Sequence, residues 1–254
     1  MDRLNAHAIG VPGAEVRVAG RCGSTNRVLL GERLAHPVLL AAELQTAGRG
    51  RRGRRWHSPA GKGILFSLGL RLRRAPRELA GLSIVAGMAA VRALRALGAT
   101  EVALKWPNDL MARGAKLGGI LVESRAQGAG SAVVVGVGVN HRRSRGLAAR
   151  LRRPVAALEE FMDPLADRNS VIGALGRELL AALAAFDAQG FAAFRDDWER
   201  LHAHAGERLR VRLADGRRVA GVPAGLAADG ALLLRTRRGL RTVRSGTVLS
   251  GRPA

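Results

Sequence analysis

"AGRGRRGRRW", residues Ala47–Trp56, fits two nucleotide-binding patterns at once. Gly48, Gly50 and Gly53 have the spacing of a dinucleotide fingerprint, and Gly48 and Gly53 that of a P-loop. The choice bears on the whole fold, because a dinucleotide fingerprint needs a helix opening at its last glycine. The residues that follow, "RRWHSPAGKGILFS", deny that helix. Pro59, Gly61 and Gly63 break it, and a strand-like apolar run comes next. Arg54 and Arg55 stand where a P-loop requires Lys-Ser or Lys-Thr. What remains is a glycine-relieved loop between two strands, carrying Arg49, Arg51, Arg52, Arg54 and Arg55. Glycines let backbone amides approach an anion, and arginines offer paired donors to phosphate or carboxylate. Such a loop either closes over an anionic ligand or is a solvated basic segment with weak affinity for RNA.

Outward from the loop, apolar runs alternate with turn signals. Val38–Leu44 and Ile64–Leu70 read as strands, and Leu79–Gly98 as a largely buried helix ending at a glycine. Glu101–Trp106, Leu117–Ser124 and Ser131–Asn140 are further strands. Arg142–Arg153 reads as a basic surface loop or short helix. From Ser170 to Leu201 the pattern is helical, with Leu175, Leu179, Leu183 and Phe186, then Phe191, Phe194, Trp198 and Leu201, at core spacing. After Ala205, short alternating segments are separated by Asp215-Gly216, Asp229-Gly230 and Arg238-Gly239, which predicts a small antiparallel β-barrel.

The 254 residues are 47% hydrophobic, enough for one large domain and a small one. The formal charge of +22 favours anionic partners. It comes almost wholly from arginine in an alanine- and glycine-rich chain without tyrosine, the bias of a GC-rich genome. Aromatic residues make up 3%, too few for a base-stacking surface; only Trp56 lies among the loop arginines. A single cysteine, Cys22, excludes an internal disulfide and a cysteine-rich zinc site. No signal-peptide-like core or membrane-length apolar run is present, so a cytoplasmic protein is expected.

Four other stretches carry chemistry. "GSTN" (Gly23–Asn26) offers hydroxyl and amide groups to a neutral polar ligand, or a helix cap. "KWPNDL" (Lys105–Leu110) follows a strand and ends in an acidic turn, where Asp109 suits Mg²⁺. "KLGGILVE" (Lys116–Glu123) sets a lysine before a glycine-containing strand, a point charge for a carboxylate or phosphate. "GVGVN" (Gly136–Asn140) ends a strand in small residues against which a ligand can lie.

In this order, "STN", "QTAGRGRRGRRW", "KWPNDL", "KLGGILVE" and "GVGVN" resemble the biotin–protein ligases over nearly the whole chain. The resemblance implies an α/β (α+β) fold: a catalytic domain over residues 1–204 with the mixed sheet of class II aminoacyl-tRNA synthetases, and an SH3-like β-domain over residues 205–254. It implies the form without an N-terminal DNA-binding domain. It further implies a biotin–[acetyl-CoA-carboxylase] ligase. That enzyme makes biotinyl-5′-AMP from biotin and Mg·ATP, then biotinylates a lysine of a biotin carboxyl carrier domain. Ser24, Thr25, Asn26, Gln45, Arg49, Gly50, Arg51, Lys116, Gly118 and Gly136 would then serve biotin. Trp56, Asn108, Asp109 and Asn140 would serve the nucleotide, with Asp109 on Mg²⁺ and Arg51 and Lys116 catalytic. No specific nucleic acid or membrane partner is expected, and the protein would be a monomer or homodimer. Lipoate ligases and octanoyl transferases share the fold, but carry a Ser-Gly-Gly-Gly type loop where this chain has Gly48–Trp56. A basic nucleic-acid-binding module is the remaining alternative.

Overall fold

The structure, a computed structural model, describes residues 2–253; residues 1 and 254, the outer ends of the two expected domains, lie outside the described residues. The elements run α1 (Ala6–Ile9), β1 (Glu15–Ala19), α2 (Thr25–Gly31), β2 (Val38–Ala42), β3 (Gly63–Leu72), α3 (Leu82–Ala96), β4 (Ala103–Lys105), β5 (Asp109–Ala112), β6 (Ala115–Gln127), β7 (Gly130–Asn140), α4 (Leu147–Leu151), α5 (Arg168–Gln189) and α6 (Arg195–Leu201). Five strands follow: β8 (Glu207–Leu213), β9 (Arg218–Leu226), β10 (Leu232–Thr236), β11 (Gly239–Val243) and β12 (Gly246–Pro253).

The first seven strands form one mixed sheet in the order β1-β2-β3-β7-β6-β5-β4, with β1 and β2 parallel and the other pairs antiparallel. The predicted strands and long helices are all present. Two strands are additions. β1 is an exposed or half-buried edge strand, and its "EVRVA", though alternating, is only five residues long. In the other case the expected acidic turn is corrected. The turn is Trp106–Asn108, and Asp109 opens β5, opposite Lys105 on β4 and Gly119 on β6.

Side-chain alternation along the central strands separates two faces. On β7, Val133, Val135, Val137 and Val139 enter the main core beneath α3 and α5. Helix α3 is buried nearly all round, from Leu82 to Leu94, as an apolar helix enclosed by protein must be. Ala132 and Val134 point the other way, into a smaller cluster with Leu29, Leu34, Val38 and Leu40 under α2. Further along this second face, the same alternation brings Gly136 and Gly138. There apolar filling stops, and a trench opens.

The second sheet is five-stranded and antiparallel, in the order β11-β10-β9-β8-β12, where the small β-domain is expected. Gly216 and Gly230 take the positive φ their turns require, +85° and +76°. This sheet is fused to the first part of the chain. Leu209, Val211, Leu226, Leu232, Leu234, Val243 and Val248 belong to the same apolar core as Trp106 and Trp198. The buried Trp106 indole donates to Gly230 O at 3.1 Å.

Candidate active site

The trench is a cleft floored by β3, β6 and β7. Its walls are the N-terminus of α2, the arginine loop, the Lys105–Asp109 segment and the start of β12. Its floor is glycine because nothing larger fits. A Cβ on Gly136 would lie 2.1 Å from Asn26 Oδ1, and one on Gly138 would lie 2.6 Å from the Trp56 ring.

One end is neutral and heavily hydrogen-bonded. Gln45 Oε1 accepts from the Thr25 amide at 2.8 Å, and the Thr25 hydroxyl lies 3.2 Å from it. The Ser67 hydroxyl, fully buried on β3, lies 2.6 Å from Asn26 Oδ1 and 2.7 Å from Thr25 Oγ1. It has one proton, which Asn26 Oδ1 accepts, since that oxygen can only accept. Asn26 Nδ2 then donates to Glu123 Oε2 at 3.0 Å and Leu121 O at 3.2 Å. Glu123 also pairs with Arg49 at 3.1 Å, tying the loop to β6.

The other end is cationic. Lys116 forms an ion pair with Asp109 across the β5–β6 hairpin and lies 5.9 Å from the Trp56 ring centroid. Burial pushes the Lys116 ammonium below the usual lysine range, against the opposite pull of Asp109. Burial depresses Lys105 in the same way, with Asp109 again opposing. Arg51 donates to Asn108 Oδ1 at 3.2 Å, and Asn108 Nδ2 donates to Ile120 O at 2.6 Å. Burial and then the charge of Arg52 lower the Arg51 guanidinium, which still stays charged. The loop is a small hairpin: Gly50 N donates to Arg54 O at 2.7 Å and Trp56 N to Gly48 O at 2.9 Å. Arg52 reaches the second sheet, donating to Ser245 Oγ at 2.7 Å.

Of the residues singled out from the sequence, Ser24, Thr25, Asn26, Gln45, Arg49, Gly50, Arg51, Trp56, Asn108, Asp109, Lys116 and Gly136 line this cleft. Gly118 does not. It pairs with Val139 on the core-facing register, and strand alternation gives the trench Gly119 instead. Asn140 sits in a smaller hollow beside the cleft, with Trp56, Lys116 and Arg153. Its amide donates to Ala156 O at 2.9 Å. Sequence reasoning missed Lys105, Ser67, Arg153 and the Gly246–Val248 wall. Ser67 left a trace, a serine within the apolar "ILFSLGL". Lys105 stood inside a quoted motif whose Asp109 drew the attention. Among the described residues, no group of three His, Cys, Asp or Glu side chains is placed to hold a metal ion, and no helix is long and apolar enough to cross a membrane.

Residues 19–140 match the biotin/lipoate A/B protein ligase family. The bifunctional ligase/repressor BirA of Escherichia coli strain K12 is 38% identical over 237 residues, covering 91% of this chain and 73% of that protein. The biotin–[acetyl-CoA-carboxylase] ligase of Mycobacterium tuberculosis is 35% identical over 239 residues, covering 87% of this chain and 83% of that one. Among solved structures, the biotin protein ligase of Aquifex aeolicus in complex with biotin and ATP has a TM-score of 0.78 at 28% identity, covering 94% of this chain and 99% of that chain. Relatives this similar span both sheets and the cleft, and the chain belongs to the biotin–protein ligases of the biotin/lipoate A/B protein ligase family.

Proposed function

We propose that this protein joins biotin to ATP as biotinyl-5′-AMP, then passes the biotinyl group to a lysine of a biotin carboxyl carrier domain. One observation carries the reading: a single cleft runs from a neutral polar end to a cationic end, with Lys116 toward the cationic side. A neutral head group with a carboxylate on a tail suits the first end. The α-phosphate of a nucleotide suits the second. A carboxylate oxygen attacks the α-phosphorus, the bond to the β-phosphate oxygen breaks, and its electron pair leaves with pyrophosphate. Two anions must meet, so the work is positioning and charge stabilisation, which Arg51 and Lys116 supply. The ε-amine of the acceptor lysine then displaces AMP from the acyl carbon and loses a proton.

The donor set fits a magnesium ion that arrives on the nucleotide. Such an ion takes one or two carboxylates plus phosphate oxygens, and Asp109 is the carboxylate that would hold it. Bound there, the ion would neutralise charge on the phosphates. We assign biotin and nucleotide binding to residues 1–204 and give residues 205–254 the wall role of β12.

The test mixes the protein with Mg·ATP and either biotin or lipoate, follows pyrophosphate, and then looks for a mass increment on an added carrier domain. Pyrophosphate with biotin and not with lipoate is expected. Release with lipoate alone, or with neither, sinks the reading.

Two further results follow from the geometry. In Gly136→Ala the new methyl collides with Asn26 and breaks its bonds to Ser67 and Glu123. Overpacking of this kind costs about 1–3 kcal/mol; if that cost falls on the bound state, biotin binding measured by calorimetry weakens by roughly 5- to 150-fold. Unchanged binding would show that the Asn26 network does not hold biotin.

The second result concerns pH. Lys116 in the free protein titrates below the ordinary lysine range because it is buried. Deprotonation removes the charge that draws the two anions together. The alkaline fall of kcat/KM for adenylation therefore begins below the usual lysine pKa. A bound anion favours the charged lysine, so the fall in kcat lies at higher pH. Coincident alkaline limbs for kcat and kcat/KM would contradict this.

A further inference from the structure

We propose that Arg153 is a phosphate-binding residue of the cleft, brought there by the segment that follows α4; the proposal rests on the adenylation reading above. The segment runs beside Lys116 as a short parallel bridge. Lys116 N donates to Pro154 O at 3.2 Å, and Ala156 N donates back to Lys116 O at 3.0 Å. Asn140, from the end of β7, fixes the same segment through Ala156 O. Arg153 is thereby carried to the rim of both the main cleft and the hollow lined by Trp56, Lys116 and Asn140.

Its surroundings differ from those of the arginines earlier on the same segment. Arg142 and Arg143 pair with Glu159 and Glu160, at 3.7 and 2.9 Å. Among the described residues no carboxylate forms an ion pair with Arg153, and its Nε is buried without a hydrogen-bond partner. The guanidinium instead stands near two other cations, and its charge disfavours protonation of both Lys105 and Lys116. A buried N–H without a partner, beside like charges, is destabilising in the empty protein. A bound anion relieves both defects. The anion this cleft receives is a nucleotide phosphate, whose oxygens match the planar fork of an arginine. The residue would act with Lys116 and not through it, since the two approach the hollow from different segments.

The experiment compares Arg153→Ala, Arg153→Gln and Arg153→Lys in the full chain. Pyrophosphate release is followed against ATP concentration, and biotin binding is measured separately by calorimetry. We expect kcat/KM for ATP to fall by roughly 10- to 100-fold in the alanine and glutamine variants, the usual scale of a hydrogen bond to a charged group. Lysine should restore most of the loss, because it restores the charge. Biotin affinity should be unchanged in all three. Glutamine keeps most of the bulk, so it separates charge from packing even if the alanine variant folds poorly. Wild-type kcat/KM in the glutamine variant overturns the proposal and leaves the ligase reading intact. Parallel loss of biotin affinity also overturns it, since that marks a collapsed segment and not a lost phosphate contact. A wild-type protein that releases no pyrophosphate from ATP and biotin overturns both.

Discussion

Lys116→Ala should fold normally and release pyrophosphate roughly 10²–10³ times more slowly, the scale of one lost electrostatic donor in a preorganised site. Lys116 is one of three lysines in the chain, with Lys62 and Lys105. It sits at the start of β6, braced on one side by β5 and on the other by the Pro154–Ala156 segment. Its backbone is therefore held whatever the side chain is, and truncation should not disturb the fold. Two things change on truncation. The positive charge that we place between carboxylate and α-phosphate disappears, and Asp109 loses its ion-pair partner within the cleft. The second effect repels the incoming anions as well. Biotin binding without ATP should change far less than the rate. The measurement is single-turnover pyrophosphate release, with circular dichroism to confirm the fold. Near-normal release from a folded variant would remove Lys116 from the reaction.

Arg168→Ala should be strongly destabilising although it lies outside the cleft. Arg168 opens α5 with a side chain only 1% exposed. It donates to Glu43 at 2.7 Å and to Asp2 at 3.2 Å, and its backbone amide donates to the Asp2 carboxylate at 2.6 Å. Asn169 adds an acceptor for Asn5 N at 2.8 Å and a donor to Arg3 O at 3.1 Å. These contacts strap the N-terminal segment across the end of β2. Removing one partner of a buried ion cluster costs about 3–5 kcal/mol. The lower figure applies here, because both carboxylates remain about a quarter exposed. At roughly 2–4 °C per kcal/mol for a chain of this size, Tm should drop by about 6–12 °C. A shift within about 2 °C would show that the strap does not hold the fold.

The fold was largely legible where local pattern and burial agree. Helix α3 and strands β3 and β7 are long and apolar, so period and length settled them. β1 and β5 escaped because five and four residues carry too little periodicity, and because Pro107 and Asn108 make the approach to β5 read as a turn. In the site, the ordered motifs pointed to both ends of the cleft. They could not distinguish Gly118 from Gly119, because that choice depends on register against β7. Ser245 and Gly246–Val248 were invisible for another reason. They meet the arginine loop across almost two hundred residues of chain, and nothing local in "RSGTVL" announces the contact. Arg153 was hidden in a basic run whose members look alike until the structure shows which of them lack a counter-charge.

The glycine floor also limits how this site can change. At Gly136 and Gly138 no single replacement can add a recognition group from beneath, because even one methyl there collides with Asn26 or Trp56. Any shift in which acid the cleft accepts has to begin elsewhere: at Gly119, where a methyl would stay 3.4 Å from its nearest neighbour, or at the edges, in the Ser24–Asn26 turn, the arginine hairpin or the Pro154–Ala156 segment. A library confined to those positions should yield altered selectivity at far higher frequency than one aimed at Gly136 and Gly138, where most members would disrupt the floor before they gained a new ligand.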